Sequence, residues 1–95
     1  MPFDVANFLD GPEDIQAYLV EAFASDNLKL ITAALGDVTR TKGMGKVAEE
    51  TGISEDILRK SLSETGNPEL ATVLKVMHSV GLSLAPKARV EAGSA

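Results

Sequence analysis

This chain has no cysteine, so neither a disulfide nor a thiolate metal site can hold it, and hydrophobic packing must stabilise the fold. No apolar run approaches the roughly 18 residues of a membrane span, and the start, MPFDVANFLDGPED, lacks the basic-then-apolar layout of a signal peptide. A cytoplasmic protein with no membrane association is expected. No glycine-rich stretch is followed by Lys and Ser or Thr, which leaves nucleotide hydrolysis without support. His78 is the single histidine and has no acid at ligand spacing, while the adjacent Glu49 and Glu50 point in different directions on a helix. No metal, no cofactor and no catalytic residue are expected, and the chain is not expected to be an enzyme.

Basic residues are missing from residues 1–27, which hold six acids (Asp4, Asp10, Glu13, Asp14, Glu21, Asp26) and no Lys or Arg. The formal charge of -5 argues against a nucleic-acid binder, because counterion release from phosphates needs clustered cations. Its distribution argues otherwise, since the rest of the chain carries nine basic against eight acidic residues. With 95 residues there is room for one core. A domain of this size buries only about 60–65% of its unfolded surface, so a second copy would add to its stability. A homodimer is expected on that ground.

Turn residues divide the sequence into short segments of helical period, and no segment alternates as a half-buried strand does, so the fold class is all-α. Pro12 at a first helical turn, with Glu13 and Asp14 favourable to the helix dipole, opens a helix whose stripe is Ile15, Leu19 and Phe23. A second helix should start near Asp26 and Asn27 as caps and carry Leu28, Ile31, Leu35 and Val38 on one face up to Thr41-Lys42-Gly43. Short helices follow at about 44–51 and 55–63. The last runs from Asn67 as cap and Pro68 as first residue to Gly81, burying Leu70, Val73, Leu74, Met77 and Val80. Residues 82–85 either form one short strand, pairing across a two-fold axis, or cover the core. The expected division is an acidic arm and helix over 1–25, a DNA-binding domain over 26–86, and a frayed tail over 87–95.

The segment 43–63 has the logic of a helix-turn-helix. Gly52 can take the left-handed conformation that ends one helix, and Ser54 can cap the next. Val47, Ile53, Leu58 and Leu62 would face the core, with the small Ala48 at the crossing. The exposed face of the second helix would then enter a major groove, making Ser54, Glu55, Asp56, Arg59 and Lys60 the candidate readers. Arg59 and Lys60 suit guanine or phosphate. Glu55 and Asp56 either accept from cytosine N4 or simply favour the helix N-terminus. Ile57 could meet a thymine methyl, a dimer mate or solvent. Phosphate anchors would be Arg40, Lys42 and Lys46 with the backbone amides of Gly43, Met44 and Gly45. Gly66 and Asn67 are either further anchors or parts of a turn and helix start.

The ordered pieces Tyr18-Leu19, Ala34-Leu35-Gly36-Asp37-Val38 with Arg40, Gly43-Met44, Ala48, Gly52-Ile53-Ser54, Leu58, Leu62-Ser63, Gly66-Asn67-Pro68, Ala71 to Val76 and Gly81-Leu82 carry a resemblance. Together they resemble the addiction-module antidote (antitoxin) proteins, a branch of the Xre-type, lambda-repressor-like helix-turn-helix families. The resemblance implies a five-helix lambda-repressor-like domain with an N-terminal helical extension. It also implies a protein that neutralises a small toxin encoded beside it, usually ribonuclease-like, and represses their operon as a dimer on operator DNA. Glu55 and Arg59 stand where the family is expected to carry Arg and an aromatic residue, a departure that touches base preference rather than fold.

All four aromatics, Phe3, Phe8, Tyr18 and Phe23, lie among the N-terminal acids. An acidic, aromatic arm suits a basic toxin whose own substrate is polyanionic, which makes Phe3, Phe8, Asp10 and Asp14 candidate toxin contacts. Tyr18 and Phe23 are read instead as core. The alternative functions are a stand-alone phage-type regulator and a helical interaction module that binds no DNA.

Overall fold

The computed structural model describes residue 9 and residues 11–89. Among these, five helices and no strand are present: α1 (Pro12–Ala24), α2 (Leu28–Lys42), α3 (Met44–Thr51), α4 (Glu55–Ser61) and α5 (Leu70–Ser79). Local chemistry places most boundaries. Pro12 opens α1. Asn27 caps α2, its side-chain oxygen accepting from the backbone N–H of Lys29 at 3.0 Å and of Leu30 at 3.3 Å. Asp26, the other expected cap, instead makes the turn with a left-handed φ of 56°. At the far end of α2, Gly43 turns the chain with φ 114°, and its N–H reaches the Thr39 carbonyl at 2.8 Å.

The last helix starts later than its cap signals suggest. Asn67 and Pro68 remain in the loop, and Glu69 takes the N-cap place without a side-chain cap bond, so α5 begins at Leu70. Its buried face is also shifted. Leu70 is exposed, whereas Val76 and Thr72 are buried beside Met77, with Val73 and Val80 partly covered. Leu28 is likewise exposed, and Thr32 takes the buried place one turn later on α2. Both leucines are the first residue of their helix, and their periodic position does not bury them there. Residues 82–85 form no strand within the chain.

The core is built from α1 through Leu19, α2 through Ala34, Leu35 and Val38, α3 through Val47, α4 through Leu58 and Leu62, and α5 through Val76 and Met77. Helix α1 packs on α2, α2 also touches α3 and α5, and α3 touches α2, α4 and α5, so α3 is the helix that ties α4 to the rest. Two glycines allow the backbone to close up. A Cβ on Gly36 of α2 would lie 2.9 Å from the Leu62 carbonyl oxygen. One on Gly66 would lie 2.1 Å from the Ser61 carbonyl oxygen and 2.6 Å from that of Lys60. Gly36, which helix propensity marks only as a mild weakness, is thus the place where α2 meets the end of α4. No helix among the described residues is long and apolar enough to cross a membrane.

Candidate nucleic-acid interface

Between α3 and α4 the chain makes a three-residue turn whose parts have separate tasks. Gly52 adopts the left-handed conformation (φ 75°, ψ 12°), and its N–H closes α3 on the Ala48 carbonyl at 2.9 Å. Ile53 tucks against the core, and its N–H donates to Thr51 Oγ1 at 3.2 Å. Ser54 then caps α4 by accepting from the Ile57 N–H at 3.2 Å. Leu58 and Leu62 fix the inner side of α4, Ser61 is partly buried, and Glu55, Asp56, Ile57, Arg59 and Lys60 face solvent.

The charges on that outer face are arranged by helical spacing. Arg59 lies 3.5 Å from Glu55 and 3.8 Å from Asp56, one turn back on the same side. All three are well exposed, so these pairs are weak and leave the guanidinium available to an incoming acceptor. Glu55 also leans toward the start of α3, with Oε2 3.3 Å from the place of a Cβ on Gly45. Its carboxylate is thus near the positive end of the α3 dipole, next to the backbone amides proposed from sequence as phosphate anchors. Lys46 on α3 and Lys60 on α4 are exposed.

Two of the candidate anchors belong to networks with separate structural work. Lys42, at the end of α2, pairs with Glu50 of α3 at 2.7 Å and donates to the Ser79 carbonyl at the end of α5. Ser79 Oγ donates to the same Glu50 oxygen at 2.7 Å. The hydrogen bond from Lys42, followed by that from Ser79, holds the Glu50 carboxyl below its ordinary range. Arg40 is half exposed and donates to Asp37, three residues earlier on α2. Asp37 in turn accepts from the Tyr18 hydroxyl at 2.5 Å, tying α1 to α2. Burial, then the bond and charge of Asp37, push Tyr18 up to about 12.

The fold therefore brings Ser54, Glu55, Asp56, Arg59 and Lys60 onto one short helix, with Lys46 on its partner. Lys42 is turned toward the end of α5, and the exposed Asn67 lies in the loop before that helix, where Gly66 serves the close chain approach. Asp14 is exposed in the first turn of α1. Phe3, Phe8 and Asp10 lie outside the described residues. Sequence reasoning missed the tyrosine–aspartate–arginine chain. The spacing of Asp37 and Arg40 signals their pair, but Tyr18 is 19 residues away from Asp37 and only packing brings it there.

Residues 1–88 match the family described as "Probable addiction module antidote protein". A protein of Haemophilus influenzae (strain ATCC 51907 / DSM 11121 / KW20 / Rd), described as uncharacterized, is 50% identical over 80 residues, covering 84% of this chain and 82% of the relative. No solved structure matches the chain.

Proposed function

Since this chain belongs to the family of probable addiction module antidote proteins, we propose that it is the antitoxin of a toxin–antitoxin module and also represses its own operon. In this reading α3 and α4 form a helix-turn-helix of the Xre-type, lambda-repressor-like kind. Helix α4 enters the major groove of operator DNA, and two copies read two half-sites about one helical turn apart. The protein acts by binding rather than catalysis, in the cytoplasm. Its second partner is a small basic toxin encoded nearby, ribonuclease-like in chemistry, gripped by the acidic N-terminal arm.

The observation that carries the DNA-binding part is the turn. A left-handed Gly52 followed by the Ser54 cap presents the whole outer face of α4 to solvent while Leu58 anchors its inner side. Arg59 and Lys60 supply the donors for guanine or phosphate, and Lys46 neutralises backbone charge without selecting sequence. The test is a titration of the labelled promoter and a scrambled duplex at several salt concentrations. Sequence-specific repression requires much tighter binding to the promoter at physiological salt. Equal affinity for the two duplexes removes the repressor role.

One observation favours a second reading. The only Arg on α4 sits between Glu55 and Asp56, and the acid at the start of the helix repels phosphate. A helical antitoxin that binds toxin but no DNA would fit that arrangement. Co-expression separates the two, because this form would still rescue growth from the toxin while the promoter titration stayed flat.

A further inference from the structure

The outer face of α4 sets the acids Glu55 and Asp56 against the cations Arg59 and Lys60, so its formal charges cancel. Such a face gains little from phosphate whatever the sequence, and any discrimination it has must come from base edges. The two acids are not equivalent. Glu55 Oε1 lies 3.5 Å from Arg59 Nη2, and its other oxygen, Oε2, lies 3.3 Å from the place that a Cβ on Gly45 would take at the start of α3. Its carboxylate is therefore set between two helices, one oxygen toward the guanidinium and the other over a residue with no side chain. Asp56 is 79% exposed and approaches Arg59 less closely, at 3.8 Å.

An acceptor and a donor 3.5 Å apart on one helix match the step between stacked bases, about 3.4 Å along a strand. In the major groove guanine offers O6 and N7 to a guanidinium, and cytosine offers the N4 amino group. Thymine O4 would face a carboxylate as acceptor against acceptor, and adenine sets N7 beside its amino group, so a carboxylate in that place favours cytosine. In water the exposed Glu55–Arg59 pair is weak. Between the walls of a groove, where water is displaced, the same pair strengthens and orients the guanidinium.

We propose that Glu55 is a specificity-determining residue of α4. Its carboxylate accepts from a cytosine N4 amino group and directs Arg59 onto the guanine of the adjoining base pair, so that each operator half-site carries two successive G·C pairs. This base preference rests on the reading of α4 as the helix that enters the major groove. It gives the acids at the start of α4 a part in recognition, beyond their effect on the helix dipole.

The test is enrichment of duplexes from a randomised pool by the full-length protein, followed by titration of the recovered duplex and its single-base variants. The wild type should recover two successive G·C pairs, and replacing the cytosine should weaken it roughly tenfold or more. Glu55→Gln exchanges a pure acceptor for an amide suited to adenine N6 and N7, so it should prefer adenine at that position and keep the guanine beside it. Arg59→Ala should lose the guanine preference. Both side chains are exposed, and the far-UV circular dichroism of both variants should match the wild type. A recovered sequence without successive G·C pairs overturns the proposal and leaves the repressor reading standing. So does a Glu55→Gln variant that keeps the cytosine preference and binds every duplex more tightly by the same factor, since Glu55 would then act through charge alone. If the wild type recovers no sequence, α4 does not read DNA and both fall.

Discussion

Where α2 meets the end of α4, backbone lies against backbone with no room for a methyl group at Gly36 or Gly66, whereas between α1 and residues 82–88 apolar side chains stay partly open to water. The first region fixes α4 through the buried Leu58 and Leu62 and two close glycine contacts. The second leaves Val20 exposed and keeps an adaptable surface. Rigidity is concentrated behind the helix proposed to read DNA, where a small misplacement would spoil hydrogen bonds to base edges. The α1 flank, by contrast, carries the exposed Val20 and the partly covered Leu82 and Leu84.

The contrast breaks most visibly through core truncation. Leu58→Ala removes a fully buried side chain from the inner face of α4 and should cost about 4 kcal/mol in urea denaturation, while Val20→Ala should change the stability of the monomer by less than about 0.5 kcal/mol. Comparable losses from the two substitutions would show that the flanks do not differ. Gly66→Ala is expected next, at about 3 kcal/mol, because the new Cβ would meet backbone that a rotamer change cannot move. A variant as stable as the wild type would mean that the loop before α5 has slack.

The link between the two regions is the Tyr18 hydroxyl on Asp37, and Tyr18→Phe should cost about 1 kcal/mol by leaving a half-buried carboxylate oxygen short of a donor. Its pH dependence has a definite sign. Tyrosine in the unfolded chain ionises near 10.0 and Tyr18 near 12, so the folded state retains a proton that the unfolded state releases. The contribution is fully present below pH 10 and is lost as the pH rises toward 12, and the wild-type advantage over Tyr18→Phe should shrink across that window. A constant difference between the two proteins from pH 8 to pH 12 would dissociate the bond from stability.

The sequence exposes the parts of this fold that are governed by neighbours along the chain. Pro12, Asn27, Gly52 and Ser54 act within one turn of themselves, and each does in the structure what its chemistry suggests. Leu28 and Leu70 mislead because periodicity assigns a stripe but not the length over which a neighbouring helix covers it. Asn67 and Pro68 have the composition of a helix start, yet the chain is still held at Gly66 against α4 and can turn helical only at Leu70. The proposed readers on α4 follow from a local turn and were therefore visible. The roles of Lys42 and Tyr18 depend on partners 37 and 19 residues away, which no spacing rule reaches.

The DNA-binding account is tested most directly by measuring promoter and scrambled-duplex affinities for two variants in parallel. Arg59→Ala should lose roughly tenfold or more on the promoter with little change on the scrambled duplex, whereas Lys46→Ala should weaken both alike and lower the salt slope by about one. If Arg59→Ala weakens both duplexes equally, or neither, then α4 does not read sequence and the central claim is contradicted.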